Sequence, residues 1–181
     1  MLREIVNEIL DWIKTFVIVF IVVVLVQQFI LAVVKVNGSS MYPTLHHMDS
    51  VLLWKLGYEP ERFDVVVFEQ VEDLYYVKRV IGLPGETVAY ENDTLWIDGE
   101  AVSEPFLETS SVEERETTEF ELTDICQFER CDVIPDGYYL VLGDHRSNSE
   151  DSRHIGLIPE SKILGKAMFI NWPLERIGRL K

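Results

Sequence analysis

The chain has 181 residues, 48% of them hydrophobic and 26% charged, and its formal net charge at pH 7 is −15. This length allows one globular domain and a short accessory segment. Residues 1–35 carry three basic and three acidic groups, so residues 36–181 hold the whole negative charge. A domain this acidic repels phosphate, which argues against nucleic acid as a partner and against flat contact with anionic lipid outside the C-terminal Arg176, Arg179 and Lys181.

The first predicted element is a transmembrane helix. An uncharged, mostly apolar run of 20 residues extends from Thr15 to Val34, and as a helix it would span about 30 Å, the thickness of a bilayer's hydrocarbon core. A cleaved signal peptide is the alternative, but it would have a shorter apolar stretch and a small-x-small cleavage site, which is missing here. We therefore predict an uncleaved helix over 15–34, behind a short cytoplasmic or interfacial segment over 1–14.

A few basic residues predict the orientation of this helix. Arg3 and Lys14 precede the apolar run, whereas Lys35 and Lys55 follow it. This distribution weakly favours a cytoplasmic N-terminus. The domain over 36–181 would then be extracytoplasmic, at the plasma membrane.

The domain after the helix is predicted to be mainly β. Short β-type runs are separated by Gly- and Pro-containing turns, and Asp98-Gly99 is a strong hairpin signal; the runs cover residues 51–54, 64–68, 74–81, 87–90, 95–102, 138–142 and 167–170. Residues 103–132 are rich in Glu, Ser and Thr, and we predict an exposed inserted β-ribbon or loop with a solvated charge run. Its Cys126 and Cys131 could form a disulfide or remain two free thiols.

Two segments of this domain could carry nucleophilic chemistry. The first, Gly38–Leu45, reads GSSMYPTL and places Ser40 in a turn-rich, Pro-stiffened segment. The second reads YVKRVIGLPGE from Tyr76 and places Lys78 within a predicted strand, where burial is expected. Most single serines lie in plain loops, and most strand lysines extend to solvent. A buried lysine, however, can lose its charge and take a proton from a serine hydroxyl.

A third segment follows the predicted strand at 138–142. Residues 143–153 read GDHRSNSEDSR, and they combine two arginines with three serines and several acids. An ordinary turn explains the glycine and the asparagine. It does not explain this density of charged and hydroxyl groups directly after an apolar strand.

The three segments, in this order behind a membrane helix, resemble type I signal peptidase. The resemblance covers nearly all of residues 36–170 except the insertion. It implies a mainly β catalytic domain with a second β region inserted between the lysine and Gly-Asp segments. It also implies a serine endopeptidase with a Ser-Lys dyad, without metal or other cofactor, that removes signal peptides from exported preproteins after a small residue.

The resemblance also implies roles for individual residues. Ser40 matches the nucleophile, Lys78 the general base, and Ser149 the serine that orients the lysine. Structural ion pairs beside the site are implied for Arg79 with Asp144 and for Asp151 with Arg153. The substrate groove and its small apolar pockets are implied at Val36, Met41, Tyr76 and Val77.

Two residues depart from the family pattern. Gly38 stands where some members carry a serine that helps to stabilise the oxyanion, so position 38 lacks a side-chain donor. The backbone N–H of Ser40 is then the one oxyanion donor with an assignment. Glycine at this position resembles the single-span, Gram-positive type of the family. His145 replaces the usual asparagine, and we expect altered local hydrogen bonding with retained chemistry.

Other function classes fit the sequence less well. A Ser-His-Asp hydrolase is disfavoured, because Asp144 and His145 are sequence neighbours whose side chains would diverge on a strand and because the sequence has no Gly-x-Ser-x-Gly elbow. A self-cleaving repressor with a Ser-Lys dyad would be soluble and would carry a DNA-binding domain. A catalytically inactive homologue that serves as a membrane-anchored binding or assembly module remains as the alternative. The expected partners are signal peptides, the lipid bilayer and, by proximity, the protein export machinery.

Overall fold

The computed structural model describes residues 2–108, 110–128 and 131–180 as one long helix followed by a domain of two β-sheets. The long helix, α1, spans Leu2–Phe29. The described residues of the domain add three four-residue helices: α2 (Val112–Arg115), α3 (Leu122–Ile125) and α4 (Ser152–Ile155). They also form twelve strands: β1 (Leu31–Lys35), β2 (Ser50–Trp54), β3 (Val65–Val71), β4 (Leu74–Gly82), β5 (Val88–Glu91), β6 (Thr94–Ile97), β7 (Glu100–Val102), β8 (Phe120–Glu121), β9 (Tyr138–Leu142), β10 (Ile158–Pro159), β11 (Ile163–Trp172) and β12 (Gly178–Arg179).

The apolar N-terminal run forms two elements. The predicted helix end at residue 34 is wrong, because α1 ends at Phe29 and Leu31–Lys35 form β1, which pairs with β2. The β-branched Val33 and Val34 favour a strand, and Val34 also packs on the core of the domain. At its other end α1 continues through residues 2–14, where a separate segment was predicted. The exposed stretch Ile5–Phe29 contains an 18-residue window with a mean hydropathy of 2.6 and is long enough to cross a bilayer.

The larger sheet positions the functional segments. Its strand order is β1-β2-β11-β3-β4-β9-β10, with β12 paired to β11, and the paired strands are antiparallel. β4, which carries the YVKRV sequence, therefore lies between β3 and β9 inside the sheet. Most of its second half is buried, as the sequence predicted for this apolar run. The mainly β fold is confirmed.

The smaller sheet has the order β7-β6-β5-β8. β6 and β7 form the predicted hairpin, with Asp98 and Gly99 both at positive φ in its turn. Val88, Tyr90, Leu95 and Ile97 from this sheet pack with the ends of β4 and β9 in one apolar cluster. The smaller sheet is thus fixed to the larger one beside the functional segments.

The insertion at 103–132 was predicted to be an exposed β-ribbon or loop, and several of its described residues are buried instead. Its residues 109, 129 and 130 lie outside the described part of the chain. The remainder holds a short 3-10 turn, α2, α3 and the two-residue β8. Apolar residues such as Leu107 and Leu122 are buried, so the insertion is packed. Cys126 and Cys131 form a disulfide, with their Cα atoms 6.1 Å apart.

Candidate active site

The segment that carries Ser40 is the connection from β1 to β2. Its two ends are joined, because the Val36 N–H donates to the Asp49 carbonyl at 2.8 Å and the Met48 N–H donates to the Val36 carbonyl at 2.9 Å. Met41 and Leu45 are buried in the apolar cluster of β2, β3 and β11. The residue that follows Ser40 is therefore anchored in the core, which holds the serine at a fixed place above the sheet.

Lys78 reaches this serine from the middle of β4. Its side chain is only 4% exposed, and its Nζ lies 2.6 Å from the Ser40 Oγ, within hydrogen-bond distance. The two residues are separated by 38 positions in sequence and are joined by the packing of the Ser40 segment on the sheet. The structure thus brings together the two residues for which the sequence predicted a dyad.

The environment of Lys78 favours its neutral form. Burial lowers the pKa of Lys78 from 10.5 to about 8, because the charged ammonium loses its hydration inside the protein. The carboxylates of Asp151, Glu150 and Asp144 act in the opposite direction, whereas the Arg153 guanidinium lowers the pKa further. An amine with a pKa near 8 is a far better proton acceptor at neutral pH than an exposed lysine.

Ser149 lies in the same site, but its position differs from the predicted one. Its buried Oγ has no hydrogen bond to another described residue, Lys78 included. The hydroxyl packs against Gly143, where an added Cβ would lie 2.2 Å from the Ser149 Oγ and 2.5 Å from the Ser40 carbonyl oxygen. Because Gly143 has no side chain, Ser149 can lie close to the segment that carries Ser40.

Arg79 and Asp144 form the first predicted ion pair. The guanidinium donates through Nε to Asp144 Oδ1 at 2.8 Å and through Nη2 to Oδ2 at 2.6 Å, and both side chains are almost fully buried. Thr44 donates its hydroxyl to the same carboxylate. This pair therefore ties β4, the loop after β9 and the Ser40 segment together.

Asp151 and Arg153 form the second predicted pair, within the loop after β9. Arg153 donates to both carboxylate oxygens at 2.8 Å, and the Gly143 N–H donates to Asp151 at 3.0 Å. Burial alone would raise the Asp151 pKa, but the hydrogen bonds and charge of Arg153 lower it. Asp151 thus remains ionised and closes the loop against the end of β9.

A third buried ion pair was missed in the sequence. Arg146, from the same loop, is buried and pairs with Glu104 of the insertion. Its Nη1 also lies 3.2 Å from Glu104 Oε2, and its backbone N–H donates to the Glu114 carbonyl at 2.9 Å. The sequence signal was the first arginine of the 143–153 segment, whose presence an ordinary turn does not explain. Its partner lay in a run of charged residues that was interpreted as solvated. That interpretation is wrong for Glu104.

The four predicted pocket residues lie around one cleft. A cleft of about 530 Å³ opens beside Ser40 and Lys78. Its walls include the predicted groove and pocket residues Val36, Met41, Tyr76 and Val77, together with Gly38, Ser39, Asn148 and Glu150. Most of these side chains are apolar or small, and the cleft is wide enough for an extended peptide segment. No cluster of three or more His, Cys, Asp or Glu side chains in the described ranges is placed to hold a metal ion.

Gly38 has a conformational reason to be glycine. Its φ is +99°, which side-chain-bearing residues rarely adopt, and its N–H donates to His47 Nδ1 at 3.2 Å. A serine at this position would be strained, so this backbone disfavours a side-chain oxyanion donor at 38. The Ser40 N–H makes no hydrogen bond to another described residue and is free to meet a substrate carbonyl.

His145 contacts the backbone beside the nucleophile. Its backbone N–H donates to the Ser40 carbonyl at 3.0 Å, and the Nδ1 of its ring lies 3.3 Å from the Ser39 carbonyl oxygen. Its ring also lies against Tyr42, with centroids 6.4 Å apart. The residue that departs from the family pattern thus supports the Ser40 segment through main-chain contacts.

Comparisons with known proteins find relatives along most of this chain. Residues 9–172 match the family described as "Signal peptidase, peptidase S26". The chain is 40% identical to signal peptidase IB of Staphylococcus aureus (strain COL) over 176 residues. This match covers 93% of this chain and 92% of that protein. Over 177 residues it is 40% identical to signal peptidase I S of Bacillus subtilis (strain 168), which covers 96% and 94%. A crystal structure of a signal peptidase I from Enterococcus faecalis V583 matches with a TM-score of 0.52 and 38% identity, over 60% of this chain and 97% of that one.

Proposed function

Because the chain belongs to the signal peptidase family, peptidase S26, we propose that Ser40 and Lys78 are the dyad with which it cleaves. The activity itself, removal of signal peptides by a serine endopeptidase, follows from this membership. The observation that carries the residue assignment is the 2.6 Å contact between Lys78 Nζ and Ser40 Oγ, made by a lysine whose pKa burial lowers to about 8.

The reaction begins with neutral Lys78. Its amine takes the Ser40 proton as the Ser40 oxygen attacks the scissile carbonyl carbon, and the carbonyl oxygen becomes an oxyanion. The Ser40 N–H is the donor we assign to this oxyanion. When the C–N bond breaks, the Lys78 ammonium returns the proton to the leaving amine, and an acyl-enzyme remains. Lys78 then takes a proton from the water that hydrolyses the ester and returns it to Ser40.

Neighbouring residues would keep this dyad in place. The Oγ of Ser149 is buried, has no partner among the described residues, and would donate to or accept from the Lys78 amine when that side chain moves during the reaction. The Arg79–Asp144 and Asp151–Arg153 pairs hold the strand and the loop that carry Lys78 and Ser149. Such a supporting role explains why charged groups are buried here, since each is matched by an oppositely charged partner.

The cleft beside Ser40 would bind the residues that precede the cut. Val36, Met41, Tyr76 and Val77 enclose apolar space next to the nucleophile. Apolar space of this kind suits small apolar side chains such as that of alanine. We therefore propose cleavage after a small residue, with a second small residue two positions earlier in an Ala-x-Ala sequence.

The apolar helix makes this a membrane-anchored protein. We propose that the N-terminus is cytoplasmic and that the domain from β1 onward lies on the outer face of the plasma membrane. Anchoring confines the site to the bilayer surface, where signal peptides also lie, and so raises their effective concentration. The same location would place the enzyme near the protein export machinery.

An inactive homologue would not need the contact between Ser40 and Lys78 or the depressed lysine pKa. The experiment that separates the two is cleavage by the full-length protein in detergent micelles, with a peptide that carries an Ala-x-Ala site. Wild type should cleave after the second alanine, whereas Ser40→Ala and Lys78→Ala should each lower kcat/KM by about 10³-fold or more. Equal rates in all three would show that this dyad does not perform the reaction.

A further inference from the structure

Tyr76 and Glu150 form a contact at the cleft that the dyad does not require. Tyr76 lies on β4 two residues before Lys78, and Glu150 lies between Ser149 and Asp151 in the loop after β9. The Tyr76 hydroxyl donates to Glu150 Oε2 at 2.9 Å, across 74 positions of sequence. Both residues line the cleft that contains the nucleophile.

The ring of Tyr76 also faces the general base. The Nζ of Lys78 lies 5.4 Å from the centroid of this ring, within the range in which a ring and an ammonium interact. The phenol is thus held at its hydroxyl end by Glu150, while its face lies toward Lys78. Movement of the ring away from this place would open the lysine to water from the cleft.

Glu150 is also unusual among the charges that act on Lys78. Asp144 and Asp151 are buried and each is neutralised by an arginine, Arg79 or Arg153. Glu150 is exposed, and no ion pair joins it to a cation within the described parts of the chain. Its carboxylate is therefore a charge near the base that can be changed without disruption of a buried ion pair.

We propose that Glu150 is a positioning residue of the reaction, which holds the Tyr76 ring against Lys78 and keeps a negative charge beside this base. The proposal rests on the assignment of Lys78 as general base. The two effects on Lys78 are opposite in sign. The ring attracts an ammonium weakly at this distance but also shields the amine from water. Because lost hydration has the largest influence on the Lys78 pKa, the net effect of the ring is to favour the neutral amine, whereas the Glu150 charge favours the ammonium. Glu150 would thus set the pH range in which the base is active.

A merely structural role for this contact leads to a different expectation. An exposed hydrogen bond of this kind contributes little to the stability of the fold. Its loss would lower stability slightly and leave the pH dependence of catalysis unchanged. The pH profile therefore separates the two interpretations.

Two single variants of the full-length protein in detergent test the proposal. Glu150→Gln keeps an acceptor for the Tyr76 hydroxyl but removes the charge, so the rising limb of kcat/KM should move to lower pH. Tyr76→Phe keeps the charge but frees the ring, so water reaches Lys78 and the limb should move to higher pH. Opposite shifts in the two variants support the proposal.

Matched controls come from outside the cleft. Tyr58 donates its hydroxyl to Asp64 at 2.8 Å, and Tyr58→Phe should leave the pH profile unchanged. Glu160 is an exposed carboxylate at the start of a 3-10 turn, and Glu160→Gln should do the same. These variants show what loss of a similar tyrosine–carboxylate bond or of one surface charge does by itself.

The outcomes also separate this proposal from the assignment of the dyad. If Ser40→Ala and Lys78→Ala are inactive but Glu150→Gln and Tyr76→Phe both keep the wild-type profile, the role of Glu150 is wrong and the dyad stands. Shifts of the same sign in both variants would contradict the proposal too. If Lys78→Ala remains active, both the dyad and the role of Glu150 are wrong.

Discussion

Lys78 and Arg79 are neighbours on β4, both are buried, and their surroundings differ in one respect. Arg79 donates two hydrogen bonds to Asp144, a third to the Phe63 carbonyl, and lies 4.0 Å from the centroid of the Phe106 ring. Lys78 meets a serine hydroxyl, and among the described residues no carboxylate lies within ion-pair distance of its Nζ. One strand thus carries two buried cations, of which only one has a counter-ion in contact.

This difference explains how two adjacent residues can have different roles, Arg79 as a charged structural residue and Lys78 as a neutral base. A buried cation in contact with a carboxylate keeps its charge, and the pair acts as a structural tie. A buried cation without one can relieve the lost hydration by giving up its proton. We infer that the position of Asp144, on the Arg79 side of β4, separates the structural cation from the base.

The largest expected effect on stability comes from removal of the counter-ion of Arg79. Asp144→Ala would remove the carboxylate to which the buried Arg79 guanidinium donates two hydrogen bonds, so the free energy of unfolding should fall by about 3–5 kcal/mol. Urea unfolding of the full-length protein in detergent, followed by tryptophan fluorescence, measures this change. Asp136 is exposed, and Asp136→Ala should change stability by less than about 0.5 kcal/mol. Similar values for the two variants would mean that Asp144 is not a structural partner.

A substitution of Lys78, the second residue of the comparison, should raise the free energy of unfolding rather than lower it. Lys78→Met removes a buried group whose pKa falls from 10.5 to about 8 on folding, so stability at pH 7 should rise by up to about 3 kcal/mol. The unfolded wild type binds more protons than the folded one between these two pH values, so its stability rises across this window. The advantage of Lys78→Met should therefore shrink from pH 8 and vanish above about pH 10.5. A variant that is less stable than wild type at pH 7 would contradict this account.

A smaller effect is expected at Gly38, where backbone conformation matters more than charge. Gly38→Ser places a side chain at φ +99° with open space around it, so the cost should be about 1–2 kcal/mol from the backbone alone. We expect no increase in kcat, because the strained serine would not serve as an oxyanion donor. An increase in kcat together with unchanged stability would show that position 38 can carry a donor.

The sequence predicted those parts of the molecule that depend on local pattern. Alternating apolar residues gave the β4 and β9 strands to within one residue at each end, and Asp98-Gly99 gave the hairpin turn. The site residues were predicted through the order of three segments, because no single serine or lysine stands out on its own. The structure brings Ser40, Lys78, Asp144 and Arg79 together through contacts between these segments.

The features that were missed depend on distant partners. The end of α1 at Phe29 reflects the pairing of Leu31–Lys35 with β2, which the hydropathy of the apolar run could not reveal. The partner of Arg146 is Glu104, 42 positions away in a segment whose many acidic residues look alike in sequence. Tertiary contacts determine which glutamate of that segment is buried, and local composition does not indicate which one it is.

The pH dependence of kcat/KM tests most directly whether Lys78 is the base because it is buried without a counter-ion. The full-length protein in detergent should show a rising limb with a midpoint near pH 8, because activity follows the neutral fraction of Lys78. Lys78→Arg, which stays charged throughout, should be inactive over the same range. A midpoint near 10.5 would contradict the claim that burial prepares the base, and a rate that does not depend on pH between 6 and 10 would exclude Lys78 from the role.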